Sequence, residues 1–102
     1  MEISIVIPVY NKAAYLEHCL ASIFRQDYDD YEIVAVDDGS TDGSAALCDS
    51  LAAGNPHLRV VHQPNAGVTA ARRRGVETAR GRYIVFVDPD DELLPGALAA
   101  QH

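Results

Sequence analysis

Basic residues are scarce in this chain: eight Lys and Arg stand against fifteen Asp and Glu, a formal charge of -7 over 102 residues. So acidic a chain has no bulk attraction for nucleic acid or an anionic membrane, and it repels anionic ligands unless a cation or a local Arg group intervenes. Cysteine is rare too, with Cys19 and Cys48 alone. They belong to no CxxC pair and no His-rich cluster, which sets metal ligation aside. Both fall on the apolar side of expected helices, where a thiol is a small packing group. With no export signal, two such thiols point to a reducing compartment and a cytoplasmic location. No apolar run approaches a membrane span, and Met1-Glu2 lacks the basic start of a signal peptide. The loops that cradle phosphates are missing as well. There is no G-x-x-x-x-G-K-[ST], and Gly39-Ser40-Thr41-Asp42-Gly43 lacks the spacing of G-x-G-x-x-G. No repeat, low-complexity tract or linker divides the chain, whose length is that of one domain.

What is present is an alternation of apolar runs and helical stripes. Ile3 to Val9 is a first strand, which Pro8 is expected to end because proline cannot donate to a ladder. Tyr10-Asn11 turns the chain, with Asn11 placed to cap a helix whose stripe is Leu16, Cys19, Leu20, Ile23 and Phe24. Tyr31 to Val36 is the second strand and ends in Asp37-Asp38. A tight turn over Gly39 to Gly43 leads into a second helix with Leu47, Cys48, Leu51 and Ala52 on one face. Gly54-Asn55-Pro56 terminates it. Leu58 to His62 alternates as an edge strand would. After the loop Gln63-Pro64-Asn65-Ala66-Gly67, a third helix is expected from Val68 to Arg80, closed by Gly81. Ile84 to Val87 reads as a strand buried on both faces. A fourth helix is expected to begin between Leu93 and Ala100.

This order specifies an α/β fold, a Rossmann-like three-layer parallel sheet with helices on both faces. Ligands of such sheets bind at the carboxyl ends of the strands, where strand order reverses. That rule gathers Pro8-Val9-Tyr10-Asn11, Asp37-Asp38-Gly39 and Asp88-Pro89-Asp90 on one rim. Taken alone, Asp88, Asp90, Asp91 and Glu92 favour a solvated acidic turn. Set against a buried strand end, with nothing basic in the next ten residues, they favour a divalent cation. Arg72 shares a stripe with Val68, Val76 and Ala79 and leans toward the sheet, with ligand contact and simple snorkelling equally open. Arg73 and Arg74 each rotate away by roughly 100° toward solvent. An acidic rim holding a cation, with one inward Arg and a Tyr, suits a diphosphate attached to a base. The cation neutralises the leaving group, Asp38 can accept a ring N–H, and Tyr10 can stack on the ring.

Four motifs, in this order and spacing, resemble those of family 2 glycosyltransferases. They are Ser4-Ile5-Val6-Ile7-Pro8-Val9-Tyr10-Asn11, Val36-Asp37-Asp38-Gly39-Ser40-Thr41-Asp42, Asn65-Ala66-Gly67 with Ala71-Arg72 and Gly75, and Asp88-Pro89-Asp90-Asp91. The resemblance covers essentially the whole chain. It implies that residues 1–102 are the N-terminal, donor-binding half of a GT-A fold. It further implies a nucleotide-diphospho-sugar donor, expected to be a UDP-sugar, with Mn²⁺ or Mg²⁺ as cofactor. The implied reaction is inverting transfer to an acceptor saccharide or lipid, as in polysaccharide, glycolipid or glycoprotein synthesis. By position, Pro8 and Tyr10 would line the base, with Asn11 beside them, and Asp38 would hydrogen-bond the base edge. Arg72 would approach the base or the diphosphate. Asp88 would reach the ribose or the metal, and Asp90 would be the metal ligand of a D-x-D motif, with Asp91 free to cap the next segment. Arg73 stands where the family often has Asn.

Inverting transfer needs a carboxylate to take the acceptor's proton on the face opposite the leaving group. Every carboxylate on the rim already has a donor-side task, so the catalytic base is unknown and expected beyond His102. The chain is accordingly read as a truncated piece or partial reading frame, with acceptor binding elsewhere. Nucleic acid is not an expected partner. A homodimer through the uncovered edge of the fourth strand is, and the full-length protein is expected in the cytoplasm or against the inner face of the membrane. The rival reading is a stand-alone module that holds a nucleotide and a metal and does no chemistry. A signalling receiver is set aside, because the first strand ends in Pro-Val-Tyr-Asn instead of an acidic pair and the only lysine is Lys12.

Overall fold

The computed structural model describes residues 2–26 and 29–90. In chain order these form β1 (Ile3–Val9), α1 (Ala13–Phe24), β2 (Tyr31–Asp38), α2 (Ser44–Ala53), β3 (Leu58–Gln63), α3 (Val68–Thr78) and β4 (Tyr83–Phe86). The strands are all parallel, in the order β3-β2-β1-β4. The α/β architecture expected from the alternation is therefore present, with β1 central, β3 at one edge and the order reversing beside β1. Side chains alternate across the sheet. Ile3, Ile5, Ile7, Val9, Ile33 and Ala35 face α1 and α2, whose Leu16, Cys19, Leu20, Ile23 and Cys48 complete the main core. On the other face Val34 and Val36 pack against Ala71 of α3. Gly75 brings α3 into contact with β1, since a Cβ there would overlap Cγ1 of Val6. Burial pushes the Cys48 thiol up to about 12, as suits a packing residue.

Three local expectations are corrected, while β1 ends beside Pro8 as expected, at Val9, with Pro8 opposite Val36. The carbonyls of Glu2 and Val6 accept from Tyr83 and Val87, so the even-numbered residues of β1 turn their backbone polar groups toward β4. That strand stops before it reaches Pro8, and the missing N–H leaves no ladder bond unmade. Asn11 does not cap α1. Lys12 is the N-cap residue, with no side-chain cap. The helix entry is held instead from the start of α2 and the turn before it, where Ser44 Oγ accepts from Lys12 N–H at 3.0 Å and Asp42 Oδ2 accepts from Ala13 N–H at 3.2 Å.

The second correction concerns β4, which is not buried on both faces. Ile84 and Phe86 are 37% and 49% exposed, because α3 lies over β1 and β2 and leaves that face of β4 open, and Tyr83, on the opposite face, is 51% exposed at the strand's start. Last, α3 ends at Thr78, short of Arg80. Glu32, only 1% exposed, draws the chain off the helix. It accepts from Arg80 N–H at 2.6 Å, Ser4 Oγ at 2.6 Å and the Arg59 guanidinium at 2.5 Å, while Gly81 N–H reaches Ser4 Oγ at 2.7 Å. No local sequence pattern marks this closure of the sheet's amino edge. Asp91, Glu92 and the helix expected between Leu93 and Ala100 lie outside the described residues. Among the described residues no helix is long and apolar enough to cross a membrane.

Candidate binding cleft at the carboxyl edge of the sheet

Where strand order reverses, the loops after β1, β2, β3 and β4 enclose a cleft of about 540 Å³. Pro8, Val9, Tyr10 and Lys12 form one wall, Asp38 the back, Asn65, Gly67, Val68 and Ala71 the α3 side, and Asp88, Pro89 and Asp90 the mouth. Of the residues picked out in the sequence, Pro8, Tyr10, Asp38, Asp88 and Asp90 thus line one space. Asn11 and Arg72 do not line it. Tyr10 is exposed and lines that space.

Asn11 has a left-handed backbone, φ 53°, a conformation that Asn tolerates better than most residues. Its Oδ1 accepts from Thr41 N–H at 2.7 Å, and its own N–H donates to Ser40 Oγ at 3.1 Å. It therefore ties the β1–α1 loop to the β2–α2 loop. This explains its place beside Tyr10 in structural terms.

Asp38 is 3% exposed and organises the loop before α3. Oδ1 accepts from Gln63 Nε2 at 2.9 Å and Ala66 N–H at 2.8 Å. Oδ2 accepts from Gly67 N–H at 3.0 Å and makes a longer contact of 3.4 Å with Asn65 Nδ2. Burial pushes this carboxyl up, but the bonds from Gln63, Ala66 and Gly67 outweigh it and hold the group below its ordinary value. The approach of the two loops requires glycine next door. Gly39 has φ +72°, and a Cβ on it would stand 2.7 Å from the Asn65 nitrogen.

Asp88 and Asp90 are built differently. Their side chains are 51% and 50% exposed, and each meets one cation at long range. Arg72 Nη2 is 3.4 Å from Asp88 Oδ1, and Lys12 Nζ is 3.8 Å from Asp90 Oδ2. Arg72 also lies over the Phe86 ring at 5.9 Å, and its buried Nε has no hydrogen-bond partner among the described residues. The Cys19 thiol donates to the Asp88 carbonyl at 3.7 Å and steadies the exit from β4. Among the described residues no three His, Cys, Asp or Glu side chains gather to hold a metal.

Lys12, Val68 and Ala71 line the cleft without having been singled out for it. Lys12 carried one signal, as the sole lysine directly after Tyr10-Asn11. Asn65 and Gly67 belonged to a recognised motif, but their bonds to Asp38 follow only from the fold.

Residues 4–101 match the sequence profile described as Glycosyl transferase family 2. The chain is 43% identical over 94 residues to the uncharacterized glycosyltransferase YibD of Escherichia coli, covering 92% of this chain and 27% of that protein. Among solved structures it superposes on Staphylococcus aureus TarS 1-349 in complex with UDP-GlcNAc with a TM-score of 0.88 at 29% identity. That match covers 99% of this chain and 30% of TarS. It also superposes on the mannosyltransferase PcManGT of Pyrobaculum calidifontis, in complex with GDP-Man and Mn²⁺. There the TM-score is 0.89 at 30% identity, over 96% of this chain and 30% of that one. The chain thus spans less than a third of the length of these proteins.

Proposed function

The chain belongs to glycosyl transferase family 2, and on that premise we propose that residues 1–102 are the donor-binding part of a glycosyltransferase that uses a nucleotide-diphospho-sugar. One observation carries the proposal: the cleft joins an exposed aromatic face, a buried carboxylate and two open carboxylates at the switch point of the sheet. The neighbours holding UDP-GlcNAc and GDP-Man support it. Tyr10 and Pro8 take the base between them. Both uracil and guanine carry a ring N–H, and Asp38 Oδ2 accepts it in place of the long Asn65 contact. Arg72, across from Asp88, reaches the diphosphate or the base.

A divalent cation fits this donor set on one condition. Two half-exposed carboxylates are too few for a cage made of protein alone, but Mg²⁺ and Mn²⁺ are commonly held by one or two carboxylates plus substrate phosphates. Asp90, with Asp88, would hold the ion once a diphosphate arrives, as Lys12 and Arg72 yield their long contacts. When bound, the cation supplies charge neutralisation at the leaving diphosphate. Transfer with inversion, an acceptor saccharide or lipid and the catalytic base are assigned to parts of the enzyme outside these residues, as the greater length of the relatives supports.

Calorimetric titration of the chain with UDP and CDP in the presence of Mn²⁺ tests the reading. Cytosine lacks the ring N–H, and a hydrogen bond to a charged group is worth roughly 1.5–3 kcal/mol. UDP is therefore expected to bind more than about tenfold tighter than CDP. Equal affinities would move the base away from Asp38, and no binding of any nucleotide would remove the donor-site reading.

A further inference from the structure

Across β2 from Asp38, three side chains form a closed set that the donor reading does not use. His62 of β3 stands between Asp37, at the end of β2, and Asp49 of α2. Its Nδ1 is 2.9 Å from Asp37 Oδ2 and its Nε2 is 2.9 Å from Asp49 Oδ1. A neutral imidazole has one N–H, so it would donate to one carboxylate and turn a lone pair on the other. Both contacts are satisfied only by the imidazolium. Asp37 is 4% exposed and relies on such partners. Its other oxygen accepts from Ser40 N–H at 3.0 Å, Ser40 Oγ accepts from Asn11 N–H at 3.1 Å, and Asn11 adjoins Tyr10 on the cleft wall.

We propose that His62 is a positioning residue for the cleft: as an imidazolium it locks Asp37, and through Asp37, Ser40 and Asn11 it sets where Tyr10 stands. The lock itself is independent of what the cleft binds, while its effect on affinity rests on the donor reading. The groups facing the ring are Asp37 from β2 and Asp49 with its neighbour Cys48 from α2, and the thiol, pushed up to about 12, stays neutral. The hydrogen bonds to Asp37 and then Asp49 raise His62 above its ordinary 6.5. The stability it contributes is thus complete below 6.5 and is lost as pH rises through the raised value. Above that value the remaining N–H stays with buried Asp37, whose carboxylate is still ionised, while the ring loses its charge and its N–H bond to Asp49, so the hold on Asp37 weakens.

The test is an NMR titration of the ligand-free chain, repeated on His62→Asn, which can donate to Asp37 but carries no charge. In the wild type both ring nitrogens of His62 are expected to be protonated below the midpoint, which should lie above 6.5. The backbone amides of Tyr10, Asn11 and Ser40 should shift with that same midpoint, and this step should vanish in His62→Asn. Asp49→Asn should lower the midpoint. A midpoint at or below 6.5, or loop amides indifferent to it, would overturn the proposal. With Mn²⁺–UDP added, wild-type affinity should fall as pH rises through the midpoint while His62→Asn stays flat. Nucleotide affinity that is equal on both sides of the midpoint would deny the lock any hold on the cleft. Absence of nucleotide binding at every pH would instead overturn the donor reading, and the amide shifts would still decide for or against the lock.

Discussion

Strands β2 and β4 both run into acid at the same rim, yet the two pairs of carboxylates are spent in opposite ways. Asp37 and Asp38 are 4% and 3% exposed, and their oxygens are taken by Ser40, His62, Gln63, Ala66 and Gly67. Among the described residues Asp88 and Asp90 are half in solvent and meet Arg72 and Lys12 at 3.4 and 3.8 Å. A buried carboxylate without partners is costly, so the β2 pair has recruited its own donors from two loops. That recruitment makes it chiefly framework: it fixes the shape of the cleft and leaves for a ligand the one position on Asp38 Oδ2 now held by the long Asn65 contact. The β4 pair bears no burial cost and holds its partners loosely, which leaves it available to a cation. An acidic strand end therefore says nothing about use until burial and partners are known.

Removing the β2 framework should have the largest effect. Asp38→Ala strips partners from Gln63 and from two backbone N–H groups, and at roughly 1.5–3 kcal/mol for a bond to a charged group the loss should reach about 3 kcal/mol. Chemical denaturation measures it. A loss below about 1 kcal/mol would show that the loop before α3 has other supports. A smaller contrast appears with acid. Net of the burial that pushes them up, hydrogen bonds hold Glu32, Asp37 and Asp38 below their ordinary values of 4.5, 3.8 and 3.8. Their contribution to stability is present above those values and lost as pH falls through the lower folded ones. Stability measured into acid should drop steeply only below about pH 4, and Asp38→Asn should flatten part of that drop. A variant as acid-sensitive as the wild type would place the effect on other groups.

Much of this was legible in the chain. Ile3 to Val9, the stripe of Leu16, Cys19, Leu20 and Ile23, and Gly54 after α2 mark their elements by period and punctuation, and the elements formed there. The rim was legible as well, because a parallel sheet collects its loops at one edge whatever their sequence separation. Three things were not. Burial of β4 was misjudged because an apolar run looks the same whether or not a helix covers it, and α3 lies over β1 and β2. The end of α3 was set by Glu32, a residue 46 positions before Thr78 in sequence, through bonds no local pattern reveals. Asp38 and Asp90 looked alike in sequence, since nothing local tells how many donors will surround a carboxylate.

The division between framework acids and available acids is open to one paired measurement. Melting temperatures of wild type, Asp38→Asn and Asp90→Asn would be recorded with and without Mn²⁺ plus UDP. Asp90→Asn should match the wild type when unliganded, within about 0.5 kcal/mol, and should lose the joint stabilisation by Mn²⁺ and UDP. Asp38→Asn should be destabilised before any ligand is added. An Asp90→Asn chain that is stabilised by Mn²⁺ and UDP as fully as the wild type, or one already destabilised without them, would contradict the division.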